Sequence, residues 1–225
     1  EVQTVRLDIP YLYRTSPAGM LGALATGLAN GSFWSLAPVF ASAYSDDLKL
    51  AAGVMTAAVL GGAISQWPLG HLSDRIDRRY VMALISLGGL MTALATWMFA
   101  DRISPFLIVL LCGAWGAMAF PLNSISVAHA NDNANSDEYV MLSSGLLLMY
   151  GLGAIVGPFA SSAAMSVVGA GGLFLFTALV HAILLLYILN RTLRRPAPDI
   201  THHVPFDDAI AASHTTSQVF EEGIE

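Results

Sequence analysis

Charge is what this 225-residue chain has least of. Asp, Glu, Lys and Arg make up 12% of it, about half the ~25% of a soluble domain. With a mean hydropathy of +0.62, too little polar surface is available to wet a globule on all sides, so a membrane class leads. Basic charge is scarcer still: ten Lys and Arg face sixteen acids, which excludes the basic face that nucleic-acid binding needs. Cysteine is limited to Cys112, inside an apolar run; an intrachain disulfide is excluded and the redox compartment stays unread. The opening "EVQTVRLDIPYLYRTSP" does not pair a basic stretch with an apolar core, as a signal peptide would. A chain starting this way is expected to be a piece of something longer.

The net charge of −6 is unevenly placed. Residues 1–195 hold ten acids and all ten Lys and Arg, while the last thirty residues hold the other six acids. The body is neutral and the tail acidic. Residues 1–16 read as a linker, 17–195 as a membrane bundle, and 196–225 as an acidic, disordered tail. The tail's His202, His203, Asp207 and Asp208 have nothing to fix a metal geometry, so no metal and no cofactor is expected.

What is present in abundance is long apolar runs. A membrane helix needs about 20 predominantly apolar residues, and six segments qualify: 17–44, 49–70, 79–100, 104–128, 138–166 and 170–190. The chain is therefore expected to be all-α, with six transmembrane helices. Arg6, Arg14, Arg75, Arg78, Arg79, Arg191, Arg194 and Arg195 flank one side; Lys49 and Arg102 flank the other. Eight against two is a positive-inside asymmetry that places both termini and the link "SDRIDRR" in the cytoplasm. "GSFWSLAP" (31–38) is echoed by "GAWGAMAFP" (113–121), and "LGGAISQWP" (60–68) by "LGAIVGP" (152–158). The echoes lie roughly eighty to ninety residues apart, which reads as two three-helix repeats, the second inverted relative to the first.

The link between the second and third spans, "GHLSDRIDRR" from Gly70 to Arg79, resembles the signature G-x-L-(A/S)-D-R-x-G-(R/K)-(R/K) of the major facilitator superfamily. Asp77 stands where that signature has Gly, which puts a positive-φ turn at 77 in doubt. "QWPLG" before it and "LLLMYGLGAIVGP" after it suit the C-terminal six-helix half, and the resemblance covers roughly residues 15–195. It implies a secondary transporter, a permease of the bacterial inner membrane, working by rocker-switch alternating access. The implied partners are a small-molecule substrate, membrane lipid, an N-terminal six-helix half and, for proton-coupled transport, a proton.

The resemblance also assigns roles. Gly70 permits a close helix approach. Asp74 latches one conformational state near the start of the fifth helix at "NSDEY", where an acid gains ~0.3–1 kcal/mol from a helix N-terminus. Arg75 would pair with loop acids; for Arg78 and Arg79 the plainer role is to hold the loop inside. Gly153, Gly157 and Pro158 mark a bend and a close crossing rather than an antiport signature. The first and fourth helices of a half line the family's cavity, making Asn30, Trp34 and Asn123 substrate-contact candidates, with Gln66 from the second helix; Ser32 and Ser124 accompany them. Interhelical hydrogen bonding is the alternative for these polar groups, packing the alternative for Trp34 and Trp115, and interfacial anchoring the role of Trp97. His181, midway along the sixth span, reads as a neutral, hydrogen-bonded structural histidine.

No Asp, Glu, Lys or Arg lies in the central part of any span. For proton-coupled transport the titrating carboxylate would have to lie in the missing half, or His181 would have to serve, and the bias is toward a neutral, amphipathic or apolar solute. No nucleophile–base pair, aspartate pair or metal cluster falls within the spans, so an intramembrane enzyme is not expected. A complete six-helix carrier working as a homodimer, and a non-transporting receptor or scaffold, remain as alternatives.

Overall fold

A computed structural model describes residues 9–134 and 138–194. Residues 1–8, 135–137 and 195–225 lie outside the described residues, and with them the first half of the expected linker 1–16 and the whole of the expected tail 196–225. All regular structure described is helical. A short α1 (Ile9–Thr15) leads into α2 (Pro17–Ser42), α3 (Leu48–Arg75) and α4 (Arg78–Phe99). A 3₁₀ turn (Ala100–Arg102) follows, then α5 (Pro105–Ala119), α6 (Pro121–Asn131), α7 (Tyr139–Val168) and α8 (Gly172–Arg194).

Local chemistry sets the boundaries. Ser16 breaks the helix between α1 and α2, and its hydroxyl accepts from Gly19 N at 3.3 Å, capping α2 just before Pro17. Asp47 caps α3 by accepting from Lys49 N at 2.9 Å. Asp77 caps α4 by accepting from Arg79 N at 2.9 Å. With φ at −54°, Asp77 needs no left-handed conformation; the chain turns through extended Ile76 instead. An aspartate at this position therefore stands as a cap.

The run expected as one helix over 104–128 is divided at Phe120. Pro121 has no N–H to give to the carbonyl four residues back, that of Ala117. Ser65 of α3 donates its hydroxyl to that carbonyl at 2.6 Å, so the break becomes a tie between helices.

Among the described residues, five segments are long and apolar enough to cross a membrane: α3, α4 with its 3₁₀ turn, α5 with α6, α7, and α8. α2 has the length, 26 residues, but Gly22, Thr26, Gly27, Asn30, Gly31, Ser32 and Ser35 dilute its hydropathy. All of these but exposed Ser35 face inward: α2 is the most enclosed of the long helices, packed mainly on α7, then on α6, α8 and α3. The other two extensive pairings are α3 on α5 and α4 on α8.

Both α2–α7 and α3–α5 are backbone-close crossings. A Cβ on Gly31 would lie 2.6 Å from Ala154 Cα, and one on Gly153 2.7 Å from Leu28 N. A Cβ on Gly116 would lie 2.6 Å from Ala58 Cα. Between the pairs sits an aromatic core of Phe33, Trp115 and Phe174, the first two with ring centroids 4.8 Å apart. Small residues bring backbones together where lipid offers no hydrophobic drive between helices.

Candidate functional site

Two regions carry the side chains singled out by the sequence. The first is the arginine-rich end, where α3 turns into α4. Arg78, in the first turn of α4, is fully enclosed. Its Nε donates to Asp132 Oδ2 at 2.7 Å, Nη1 donates to Ser73 Oγ at 2.9 Å, and Nη2 lies 3.2 Å from Asp74 Oδ1. Ser73 passes its own proton to the carbonyl of buried Gly70 at 2.8 Å. One planar guanidinium thus joins α3, α4 and the end of α6. The charge-assisted bond to Asp132 is strong because both side chains are almost wholly out of solvent, at 0% and 4% exposure.

Arg79 is buried too. Its Nη2 meets Asp77 Oδ2 at 2.6 Å, and its Nε reaches the same carboxylate at 2.9 Å. Arg75 is exposed. Holding a loop inside requires no burial, so the environments of Arg78 and Arg79 differ from that expectation: each is drawn in by a carboxylate whose desolvation it offsets. The expected seat of Asp74 near "NSDEY" falls partly on residues 135–137, outside the described residues.

Burial would raise the Asp77 carboxyl, but hydrogen bonds and charge from Arg79, with His129 nearby, outweigh it and hold the group below the usual carboxylate range. A depressed folded-state value adds stability that is complete above the unfolded value of about 3.9 and is lost as pH falls through the folded one. Asp77→Asn keeps a competent cap and is expected to flatten that acid limb. Unfolding midpoints of wild type and variant between pH 7 and pH 3 provide the check.

Asp132 and His129 carried no role in the sequence reading. Asp132 lies 54 residues from Arg78. The available signal was an acid at the arginine-rich end of the fourth span, otherwise poor in charge. At the opposite end, burial and then the hydrogen-bonded Asp101 carboxylate push the Tyr44 hydroxyl up to about 12, tying the α2–α3 turn to the end of α4.

The second region is the face shared by α2, α3 and α6. Trp34, 44% exposed, stacks on Phe120 at 5.5 Å and 12°. Phe120 sits at the α5–α6 break, three residues before half-buried Asn123, and fills the space over Gly62, one turn before half-buried Gln66. Asn30 lies one turn before Trp34, buried, with no partner for its Oδ1 among the described residues. Three candidates thus gather around Phe120, and Asn30 lies just beneath.

The accessible surfaces of α4 and α8 are aliphatic instead: Leu84, Leu87, Met91, Leu179, Ile183 and Leu186. The bundle has one polar and aromatic side and one lipid-like side. Trp115 is a packing residue, enclosed between Phe33 and Phe174. Trp97 packs on Gly171 in the α7–α8 turn.

His181 differs from its expectation. Neither ring nitrogen has a hydrogen-bond partner among the described residues. The ring stacks on Trp115 at 6.4 Å and 18°, its edge against the backbone of Gly89, which offers no Cβ to oppose it. Gly153 and Gly157 lie in the close α2–α7 crossing, and Pro158 lies inside α7 without ending it.

Comparison with known proteins agrees with this architecture. Residues 19–220 match the family model described as Major Facilitator Superfamily. An "Uncharacterized MFS-type transporter" of Yersinia pestis (strain Pestoides F) is 28% identical over 188 residues, covering 82% of this chain and 47% of the relative. One from Yersinia enterocolitica is 26% identical over 201 residues, covering 85% and 50%. The "Uncharacterized MFS-type transporter YcaD" of Escherichia fergusonii is 27% identical over 189 residues, covering 84% and 48%. The chain spans about half the length of the curated relatives it matches. With a family model covering most of its length and helices fit to cross a membrane, the chain is an integral membrane protein that belongs to the major facilitator superfamily.

Proposed function

We propose that the chain is the C-terminal six-helix half of a secondary active transporter that moves a small, uncharged solute by alternating access. The observation that carries this is the two-sided surface. Polar and aromatic groups gather around Phe120 on α2, α3 and α6, whereas α4 and α8 present aliphatic side chains. Polar side chains at membrane depth belong beside a wet cavity or a partner. The central spans bring no formal charge to that side, which favours a neutral solute and leaves any coupling carboxylate to the partner half.

In this reading α2 is the first of six spans. Its small, polar residues are absorbed by the close crossing with α7 and the cavity edge. α2, α3 and α4 form one triplet; α5–α6, α7 and α8 form the inverted second. The pairings support it: the first helix of each triplet packs on the second of the other, and the third helices pack on each other. A two-fold axis in the membrane plane requires that pattern. The arginine-rich end is cytoplasmic, with both ends of the bundle there, in a bacterial inner membrane. The Arg78 junction holds the α3–α4 turn against α6, so that the half moves as one body and the Asp74 edge biases one state.

The test is cysteine accessibility in the full-length transporter. Enclosed Cys112 gives little background. Trp34→Cys and Asn123→Cys are expected to react with a water-soluble maleimide from either side of the membrane, in proportions that shift with substrate. Protection of both positions from both sides would sink the cavity assignment.

A further inference from the structure

On the lipid-like side, α2 and α8 leave a groove of about 160 Å³, several times the ~30 Å³ share of one water. Leu21, Leu24 and Leu28 form one wall; Val180, Leu184 and Tyr187 form the other. Among its described lining residues the one polar side chain is Tyr187, at the end toward the arginine-rich surface. Beyond Tyr187 the same stripe of α8 continues at i+4 and i+7 with Arg191 and Arg194. Neither has an ion-pair partner among the described residues. The groove opens beside Ile183, 60% exposed, in line with exposed Leu179 and Leu186. It therefore opens onto the aliphatic belt, away from the polar face on which a second half would close.

We propose that this groove holds one acyl chain of an anionic phospholipid, with Arg191 and Arg194 binding its phosphate. An apolar slot that ends at the membrane surface in guanidinium groups with no ion-pair partner among the described residues complements both parts of such a lipid. A neutral zwitterionic lipid fits the slot but brings a cation to the arginines. A helix of the partner half would fill the slot and leave the arginines unpaired. The site does not depend on which solute is carried.

The experiment uses the full-length protein, delipidated in detergent and titrated with palmitoyl-oleoyl phosphatidylglycerol or phosphatidylcholine, with bound lipid counted by native mass spectrometry. The expected result is a tightly retained phosphatidylglycerol, preferred by about five-fold per arginine. Arg191→Gln/Arg194→Gln should erase the preference while leaving weak retention of both lipids. Ile183→Trp, placed at the exposed rim so that folding is spared, should reduce both; Leu179→Trp, one turn outside the groove, should not. Equal retention of the two lipids by wild type, a preference that survives the double substitution, or no effect of Ile183→Trp each overturns the proposal. No lipid on wild type, with Ile183→Trp loosening the two halves, would assign the groove to a partner helix.

Discussion

Replacing Arg78 by glutamine should cost about 3–5 kcal/mol of unfolding free energy, the range for removing one partner of a buried ion pair. The variant leaves the Asp132 carboxylate, 4% exposed, without its guanidinium, and Ser73 without a donor. Arg78→Lys should recover only part of this, because an ammonium is a point charge and cannot reach Asp132, Ser73 and Asp74 from one rigid fork. Asp74→Asn should be mild by comparison, within about 1 kcal/mol, since Asp74 is 32% exposed and solvent screens it. Arg78→Gln/Asp132→Asn should be more stable than Arg78→Gln alone, because the buried carboxylate charge that Arg78 offset is gone. Denaturant unfolding of the four variants in one detergent gives the ranking. If Arg78→Gln and Asp74→Asn cost the same, Arg78 is a topogenic charge and the junction has no structural weight.

Helices were legible in this sequence and the polar junction was not, for physical reasons. A run such as 170–190 has one reading in water and lipid alike, and α8 at Gly172–Arg194 departs from it by a few residues. The caps Ser16, Asp47 and Asp77 emerge only with the structure, because each depends on the backbone turn that brings its side-chain oxygen to an N–H two or three residues on. The Asp77 departure from the family signature made sense only when its φ and its bond to Arg79 were seen. Arg78 carries nothing in sequence to separate it from Arg75, three residues earlier. One is enclosed and the other exposed because Arg78 begins α4 facing α6, while Arg75 ends α3 facing out. That difference depends on a partner 54 residues away. In sequence, Trp34, Gln66 and Asn123 are marked only by their side-chain type and by the spans that the family resemblance places beside a cavity. What joins them is Phe120, an ordinary apolar residue until Pro121 and the Ser65 tie fix its place. Membrane helices are hydrophobic all round, so periodicity cannot reveal which face meets lipid; packing does.

Gly31→Ala should be as damaging as many core truncations, though it adds one methyl. The new Cβ would lie 2.6 Å from Ala154 Cα and 2.7 Å from Ala154 O. Both are backbone atoms that no rotamer change can move. α2 and α7 must separate by roughly an ångström along their crossing, and overpacking of this kind costs about 1–3 kcal/mol. Gly27→Ala strikes the backbone of Tyr150 one turn away, so the double substitution opens the whole crossing and should approach the sum of the two. Gly151→Ala is the control on α7, the other helix of the crossing: among the described residues, nothing lies within 4 Å of where its Cβ would stand. Replacing a mid-helix glycine there should leave stability unchanged or raise it by about 0.5–1 kcal/mol. Thermal unfolding separates the two classes directly. Function should follow the same order: α2 carries Asn30 and Trp34, and a shift of its axis moves both relative to Phe120 and Asn123. Equal tolerance of alanine at 31 and 151 would mean that the α2–α7 distance has slack, and the glycine pairs would then have no role in fixing the position of α2.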